Sequence, residues 1–190
     1  MNTNKLKSSI KIYKHVTKKS AFDITTSLFH FTQKPNEDVY KGKVIFSVTE
    51  MSSSGSDSKY AKAYIDKSKI KPMLHAIINH NFSRVYGDGF KVYGGSKKNG
   101  DIIARCCTIT FTDRNQFKIQ IDEGKGSMSN TGAIKMIKRV KSVTTYMSYE
   151  EGLIMAHEVK DFINQAEICA MSKGKPLYTQ MFYSTVDLGA

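Results

Sequence analysis

One segment of the chain alternates aromatic and cationic side chains with small apolar ones. In Tyr60-Ala-Lys62-Ala-Tyr64-Ile, the tyrosines and the lysine occupy every second position. Because alternate side chains of a β-strand point to opposite faces, two rings and an ammonium would share one face. Unpaired nucleic-acid bases can stack on such rings while the cation lies near phosphate. An ordinary amphipathic strand, with solvated lysines and tyrosines at its rim, would show the same pattern.

The pattern recurs in Phe90-Lys91-Val92-Tyr93. This recurrence, in a chain of formal net charge +12, favours nucleic-acid binding over a purely structural role. We predict that bases stack on Tyr60, Tyr64 and Tyr93, and that Arg105 is the best candidate for a planar stacking or bidentate contact. The cations expected to neutralise phosphates are Lys41, Lys43, Lys62, Lys91, Lys97, Lys98, Arg105, Lys118 and Lys125. Those expected to extend this track or to face a neighbouring subunit are Lys135, Lys138, Arg139 and Lys141.

Residues that could carry catalysis or hold a metal form no strong motif. His75 and His80 are five apart, so one helix face would not present both, and His157-Glu158 lacks the second histidine of a zinc-protease motif. Gly124-Lys125-Gly126-Ser127 is only a weak match to a phosphate-binding loop. Asp122-Glu123 is the only adjacent acidic pair near the predicted strands. We therefore expect a non-enzymatic protein with no metal and no cofactor.

The cysteines and the apolar runs indicate the compartment. Cys106, Cys107 and Cys169 are odd in number and form no CxxC pair, so neither a disulfide framework nor a zinc site is indicated. Reduced thiols are typical of a cytosol-like compartment. No apolar run approaches the roughly 20 residues that a membrane helix needs, and no hydrophobic signal core follows the first five residues. We expect a cytoplasmic protein that is not bound to a membrane.

Bulk composition predicts a folded, basic binding protein. Of the 190 residues, 40% are hydrophobic and 24% are charged, which is typical of a globular chain with one sizeable core or two small modules sharing a sheet. Lys and Arg number 29 against 17 Asp and Glu, so the expected partner is a polyanion. Lysine outnumbers arginine, which favours point-charge contacts with phosphate over base reading and predicts weak sequence specificity.

Periodicity predicts an α+β fold, an antiparallel sheet system with helices on its back face. The predicted order is strands 43–49 and 60–65, a helix from about residue 70 to 79–81, strands 90–93, 102–112, 117–121 and 134–141, and a closing helix. Segments 94–100 and 124–132 are predicted to be a turn and a mobile basic loop. Ser148 and Glu151 predict a capping box for the closing helix.

The predicted domain organisation has three parts. Residues 1–40 are expected to form a basic N-terminal arm or accessory layer, of which a part packs. Residues 41–170 are expected to form a single α+β nucleic-acid-binding domain. Residues 171–190 are expected to form a C-terminal tail.

Residues 90–167 also carry a family resemblance. The segment contains Tyr93-Gly94-Gly95, a basic turn with Gly100, Arg105 leading a strand, then Phe117–Gly124, Gly126 and Gly132-Ala133-Ile134 before a capped helix. This order resembles phage and bacterial single-stranded-DNA binders of the PC4/Whirly-like superfamily. The resemblance implies curved antiparallel sheets backed by helices, a homo-oligomer, and binding of single strands across the sheet with little sequence preference. It also implies that residues 41–80 are a degenerate first repeat with fewer strands.

The sequence therefore predicts a largely sequence-independent single-stranded DNA-binding protein. The composition is rich in Lys, Asn, Ile and Ser, which suggests an AT-rich genome and hence a phage or mobile element. We therefore expect a role in the replication or recombination of its DNA, in the host cytoplasm. One alternative is a regulator of RNA or duplex DNA whose Lys-rich N-terminal arm enters a groove. Another is a basic protein-interaction module that grips an acidic host protein.

Overall fold

The computed structural model of the chain describes residues 9–27, 42–52 and 58–173. Within these ranges the chain forms eight strands and three helices. They are β1 (Ser9–Val16), β2 (Ser20–Ser27), β3 (Lys43–Glu50), β4 (Lys59–Asp66), α1 (Lys67–Ile78), α2 (Phe82–Val85), β5 (Phe90–Lys98), β6 (Asp101–Thr112), β7 (Gln116–Met128), β8 (Ile134–Ser148) and α3 (Tyr149–Lys173).

The strands form two antiparallel sheets of four strands each. The first sheet has the order β1-β2-β3-β4 and the second has the order β5-β6-β7-β8, so every strand pairs with its neighbour in sequence. Each sheet is followed by a long helix, α1 after the first and α3 after the second. The predicted α+β class, with antiparallel sheets and helices, is confirmed.

The first sheet differs from the sequence-based expectation. Residues 9–27 form β1 and β2, and β2 pairs along its length with β3, so this segment belongs to the same sheet as the predicted domain. Phe22 and Ile24 of β2 are completely buried. Residues 41–80 themselves supply two strands, β3 and β4, and residues 9–27 add β1 and β2 to the same sheet, so the first unit has four strands.

One hydrophobic core joins the two sheets and the helices. The inward faces of β3 and β4 supply Val44, Phe46 and Ile65, all fully buried, as the alternation predicted. The second sheet supplies Phe117 and Ile119 to the same cluster. β4 contacts all four strands of the second sheet, so it packs across that sheet.

Two strands of the second sheet extend beyond their predicted ends. β5 continues to Lys98 and β7 to Met128, so the predicted turn at 94–98 and the predicted loop at 124–128 are strand. The β5–β6 connection shrinks to Asn99-Gly100, both with positive φ (51° and 88°), which is the backbone of a tight two-residue hairpin. As a result, a long hairpin end of the second sheet projects past the region where β4 crosses.

The start of α3 anchors the helix to the first sheet. The Glu151 backbone N–H donates to Ser148 Oγ at 3.2 Å, which confirms one half of the predicted capping box. The Glu151 carboxylate does not return to Ser148 but accepts a hydrogen bond from the Tyr13 hydroxyl at 2.6 Å and lies 3.4 Å from His15 Nδ1. The helix that follows the second sheet is thereby tied to the first strand of the other.

Candidate nucleic-acid interface

The outward face of β4 carries the aromatic and cationic residues that the alternation predicted. Ala61, Ala63 and Ile65 are buried, whereas Tyr60 and Tyr64 are 48% and 39% exposed. The Lys62 ammonium lies 5.5 Å from the centroid of the Tyr64 ring, a cation–π contact. The side chains of β4 therefore present two rings and a cation on one accessible surface.

A cleft of about 200 Å³ lies between the end of β4 near Tyr64 and strands β5 and β6 of the second sheet, and we call it the inter-sheet cleft. Its lining residues are Lys43, Ala63, Tyr64, Asp66, Lys69, Val92, Tyr93, Gly94, Gly95 and Arg105. Four predicted site residues, from four strands, meet here: Lys43, Tyr64, Tyr93 and Arg105. Tyr93 is 69% exposed, so its ring is available at the rim. The lining therefore includes two tyrosines and three cations, together with Asp66, which lies 3.5 Å from Lys43 Nζ. The strand register places the Tyr93 side chain on the opposite face of the second sheet from Arg105, so its ring lies at the outer rim of the cleft.

Arg105 is held by an ion cluster rather than presented freely. Its Nε donates to Glu123 Oε2 at 2.8 Å and one terminal nitrogen donates to Ser96 Oγ at 3.1 Å. Lys141 Nζ lies 3.0 Å from the other oxygen of Glu123. The three ionic residues are paired across β6, β7 and β8 in one row of the sheet. Two nitrogens of Arg105 therefore already have partners within the protein.

The carboxylate of Glu123 is the electrostatic centre of this cluster. Burial raises the pKa of the Glu123 carboxyl, but hydrogen bonds and charge from Lys141 and Arg105 outweigh that effect and lower the pKa below its ordinary value. The Glu123 carboxylate is therefore ionised at neutral pH. It accepts hydrogen bonds from Arg105 and Lys141, which could otherwise donate to a phosphate. A bound phosphate and Glu123 would compete for the same two cations.

A second concavity lies on the far side of the ion cluster, and we call it the distal cleft. It measures about 460 Å³. Its lining residues are Asn99, Asp101, Ile102, Ile103, Glu123, Gly124, Lys125, Gly126 and Val140. Glu123 lines this cleft and its ion partner Arg105 lines the inter-sheet cleft, so the ion cluster has a residue in each lining. The distal cleft has aliphatic walls supplied by Ile102, Ile103 and Val140.

Two β-bulges shape the wall of the distal cleft. β7 pairs Glu123 with Lys141 and then Gly124 with Arg139, so Val140 has no partner in the ladder; Ile137 is skipped in the same way. Both aliphatic side chains are about 70% exposed. These bulges place apolar side chains among the cations of β8 on the surface.

The remaining predicted cations are distributed over several surfaces. Five of them are exposed at the end of the second sheet where the distal cleft lies. These are Lys97, Lys125, Lys135, Lys138 and Arg139. Lys41 and the side chain of Lys98 lie outside the described residues.

Two of the predicted cations face away from the ion cluster. Lys91 pairs with Thr108, and Lys118 pairs with Thr110 and Tyr146, which places both on the opposite face of the sheet from Arg105. The structure therefore does not bring Lys118 to the inter-sheet cleft.

Sequence reasoning missed several residues of these clefts. Lys69 lines the inter-sheet cleft because β4 runs into α1 without a loop, a junction that no periodicity marks. Ile102, Ile103 and Val140 line the distal cleft because of the turn and the bulges. The apolar residues interleaved with cations at 134–141 were the available signal, since four large aliphatic side chains in a basic strand need either a core or a ligand.

Two kinds of site were sought and not found in the described ranges. No group of three or more His, Cys, Asp or Glu side chains there is arranged to hold a metal ion. Among the helices of the same residues, none is both long and apolar enough to span a bilayer.

Comparisons with known proteins gave similarity to solved structures only. No family model and no curated protein matches the chain. Among solved structures, the plant transcriptional regulator PBF-2 is similar over 86% of this chain and 95% of its own, with 9% sequence identity and a TM-score of 0.43. A similarity of this size leaves the function to be argued from the clefts themselves.

Proposed function

We propose that this chain is a non-enzymatic, largely sequence-independent binder of single-stranded DNA. The observation that carries the proposal is that Tyr64, Lys43, Lys69 and Arg105 line one cleft with the exposed Tyr93 at its rim. Rings beside cations in a groove suit unpaired bases, whose faces can stack while the phosphates meet the ammonium groups. Bases within a duplex already stack on each other, so the rings would contribute little to duplex binding.

Weak sequence specificity follows from the same geometry. A forked guanidinium reads a guanine edge only when two of its N–H groups point at the base. Arg105 directs two nitrogens at Glu123 and Ser96, and the other cations of the cleft are lysines, which act as point charges. The proposed contacts are therefore with phosphates and with the faces of bases, which all sequences share.

Within this proposal the protein serves phage or mobile-element DNA replication or recombination and acts as a homo-oligomer. The composition supports the first part, because an AT-rich coding pattern is typical of such elements. The family resemblance of residues 90–167 supports the second part.

The proposal is tested by removing the rings and the cations separately. Tyr64→Ala and Tyr93→Ala should each weaken binding of labelled oligothymidylate by about 5- to 150-fold, the equivalent of ~1–3 kcal/mol per stacked base. The slope of log K against log salt should not change, because no phosphate contact is lost. Lys43→Ala should instead reduce that slope by about 0.7, the value for one phosphate on a single strand. Fluorescence anisotropy at several salt concentrations measures both quantities.

The controls separate stacking from folding and DNA from other partners. Tyr64→Phe keeps the ring and should bind nearly as wild type does. Arg84→Ala is the control for the lysine variant, because it removes an exposed cation of α2 outside the cleft. Unlabelled single-stranded DNA should compete better than duplex or RNA of equal length. Wild-type affinity in both tyrosine-to-alanine variants, or equal competition by duplex, would contradict the proposed function.

A further inference from the structure

A third concavity lies on the outer face of the second sheet, and we call it the outer groove. It measures about 620 Å³. Its lining residues are Thr17, Lys18, Lys19, Ser20, Glu50, Met51, Lys118, Thr144 and Tyr146. Tyr146 is 47% exposed and pairs across the strands with Lys118, so a ring and an ammonium again share one surface. Lys118 was predicted to neutralise phosphate together with the other cations, but it lies on this outer face.

The lysines of the outer groove sit on an anchored turn between β1 and β2. Thr17 Oγ1 accepts hydrogen bonds from the backbone N–H groups of Lys19 and Ser20, at 3.2 and 2.9 Å. The Met51 N–H donates to the Lys19 carbonyl at 2.8 Å. Ser20 Oγ lies 2.7 Å from Thr145 Oγ1 in a buried contact with β8. The turn is fixed on two sides, while the Lys18 and Lys19 side chains remain exposed.

The charge of this groove is positive in its interior. Its one acidic lining residue, Glu50, accepts a hydrogen bond from the Thr144 backbone N–H at 2.7 Å, an amide on the outer edge of β8. That carboxylate is thereby committed to joining the first sheet to the second. Lys18, Lys19 and Lys118 are left to attract an anion, with Tyr146 and Met51 as apolar surface beside them.

The outer groove and the inter-sheet cleft are connected by one face of the second sheet. The row that starts at Tyr93 runs through Cys106 and Asp122 to Ser142, and Tyr146 lies four residues further along β8. From strand spacing and rise, the two rings are about 20 Å apart on the same face. The surface between them is mainly small and polar, and its acid, Asp122, accepts hydrogen bonds from the Gln120 amide at 3.0 and 3.2 Å.

We propose that the outer groove is a second contact for the same single strand that the inter-sheet cleft binds. This inference rests on the proposed function. A strand that leaves the cleft past Tyr93 crosses the polar face and reaches the outer groove. There Lys18, Lys19 and Lys118 neutralise phosphates, and the Tyr146 ring takes a base. The length of strand held by one protein is therefore longer than the inter-sheet cleft alone accommodates.

The dependence of affinity on oligonucleotide length tests this inference. The variants are Lys18→Ala with Lys19→Ala, and Tyr146→Ala, compared by anisotropy on oligothymidylates from about 4 to about 30 nucleotides. The shortest oligonucleotides should bind these variants as they bind wild type. The longest should bind at least several-fold more weakly, and the double lysine variant should lose about 1.4 from its salt slope, the value for two phosphates.

A matched control removes two exposed cations outside both sites, Arg84→Ala with Arg114→Ala, and thermal melting checks that every variant is folded. Wild-type affinity of the groove variants at every length, or an equal loss at every length, would overturn the second contact. Failure of the proposed function is a separate result, in which Tyr64→Ala and Tyr93→Ala leave the shortest oligonucleotides unaffected.

Discussion

At the scale of single residues, Glu123 is the side chain that most directly limits the proposed binding surface. It faces two cations, Arg105 and Lys141, at hydrogen-bonding distance and lines the distal cleft. A carboxylate in this place satisfies buried donors when no ligand is bound. It also imposes a cost on any phosphate that must displace it. The residue therefore stabilises the unbound protein at the expense of affinity.

Glu123→Gln should raise the affinity for single strands several-fold. The amide keeps a hydrogen-bond acceptor for Arg105 but removes the charge, so Arg105 and Lys141 can attract phosphate. The slope of log K against log salt should steepen by about 0.7 for each phosphate gained. Asp113→Asn, in the exposed β6–β7 turn, makes the same change of net charge away from the clefts and is the control. Equal affinities for the two variants would show that Glu123 does not compete with the ligand.

The accessible face of β4 was predictable and the ion cluster was not. Tyr60, Lys62 and Tyr64 were assigned correctly because alternation within one strand decides which side chains point outward. The pairing of Arg105 with Glu123 depends on the register between β6 and β7, which places residues 18 positions apart side by side. Single-strand periodicity contains no such information, so a cation expected to be free is engaged inside the protein.

At the scale of elements, the β7–β8 hairpin combines two bulges with a glycine that admits a close backbone contact. A Cβ placed on Gly124 would lie 2.0 Å from the Lys138 carbonyl oxygen and 2.8 Å from the Arg139 Cα. The sequence suggested a mobile loop here because residues 124–132 contain three glycines among small polar residues. The glycine instead permits regular pairing of a bulged strand. From sequence alone, a glycine that allows two strands to approach closely cannot be distinguished from a glycine in a turn.

Gly124→Ala should destabilise the protein, because the new methyl group meets backbone atoms that cannot move without disturbing the ladder. We expect a loss of about 1–3 kcal/mol in the free energy of unfolding. Gly94→Ala, in the same sheet, is the matched control, since a Cβ at Gly94 has no atom within 4 Å. Urea unfolding of both variants measures the difference. Equal stability of the two would mean that the hairpin relaxes around position 124.

At the scale of the whole molecule, the chain repeats one unit, four antiparallel strands and a helix, and joins the two copies through their helices. The Glu167 carboxylate of α3 forms ion pairs with two lysines of α1: Lys67 Nζ lies 2.9 Å from Glu167 Oε1, and Lys71 pairs with the other oxygen. The sequence allows a strand at residues 10–15 but leaves the next stretch ambiguous between strand and helix, so the four-strand unit of the first sheet was not predicted. The second half was recognised because its strands are longer and its closing helix is capped.

The ion pairs between α1 and α3 predict a fall in stability in acid. Burial raises the pKa of the Glu167 carboxyl, but its hydrogen bonds with Lys71 and Lys67 outweigh burial and lower the pKa below 4.5. Since the unfolded carboxyl takes up its proton first, the stabilisation is present above about pH 4.5 and is lost as the pH falls through the lower folded value.

Thermal melting from neutral pH down to about pH 3 measures this loss, and the comparison with Glu167→Gln isolates it from other carboxyl groups. The glutamine variant should be less stable than wild type at neutral pH, and the difference should shrink in acid. A difference that stays constant with pH would contradict the assigned ion pairs.

The bulge at Val140 of β8 also affects which residue the facing strand can carry at position 124. Val140 has no partner in the ladder, so a shorter hairpin without it would keep every existing pair. In such a hairpin the Lys138 carbonyl would no longer be pressed against position 124, and a side chain there would become tolerable. The extra residue on β8 and the glycine on β7 are therefore linked, because with Val140 in place position 124 has room only for a hydrogen atom.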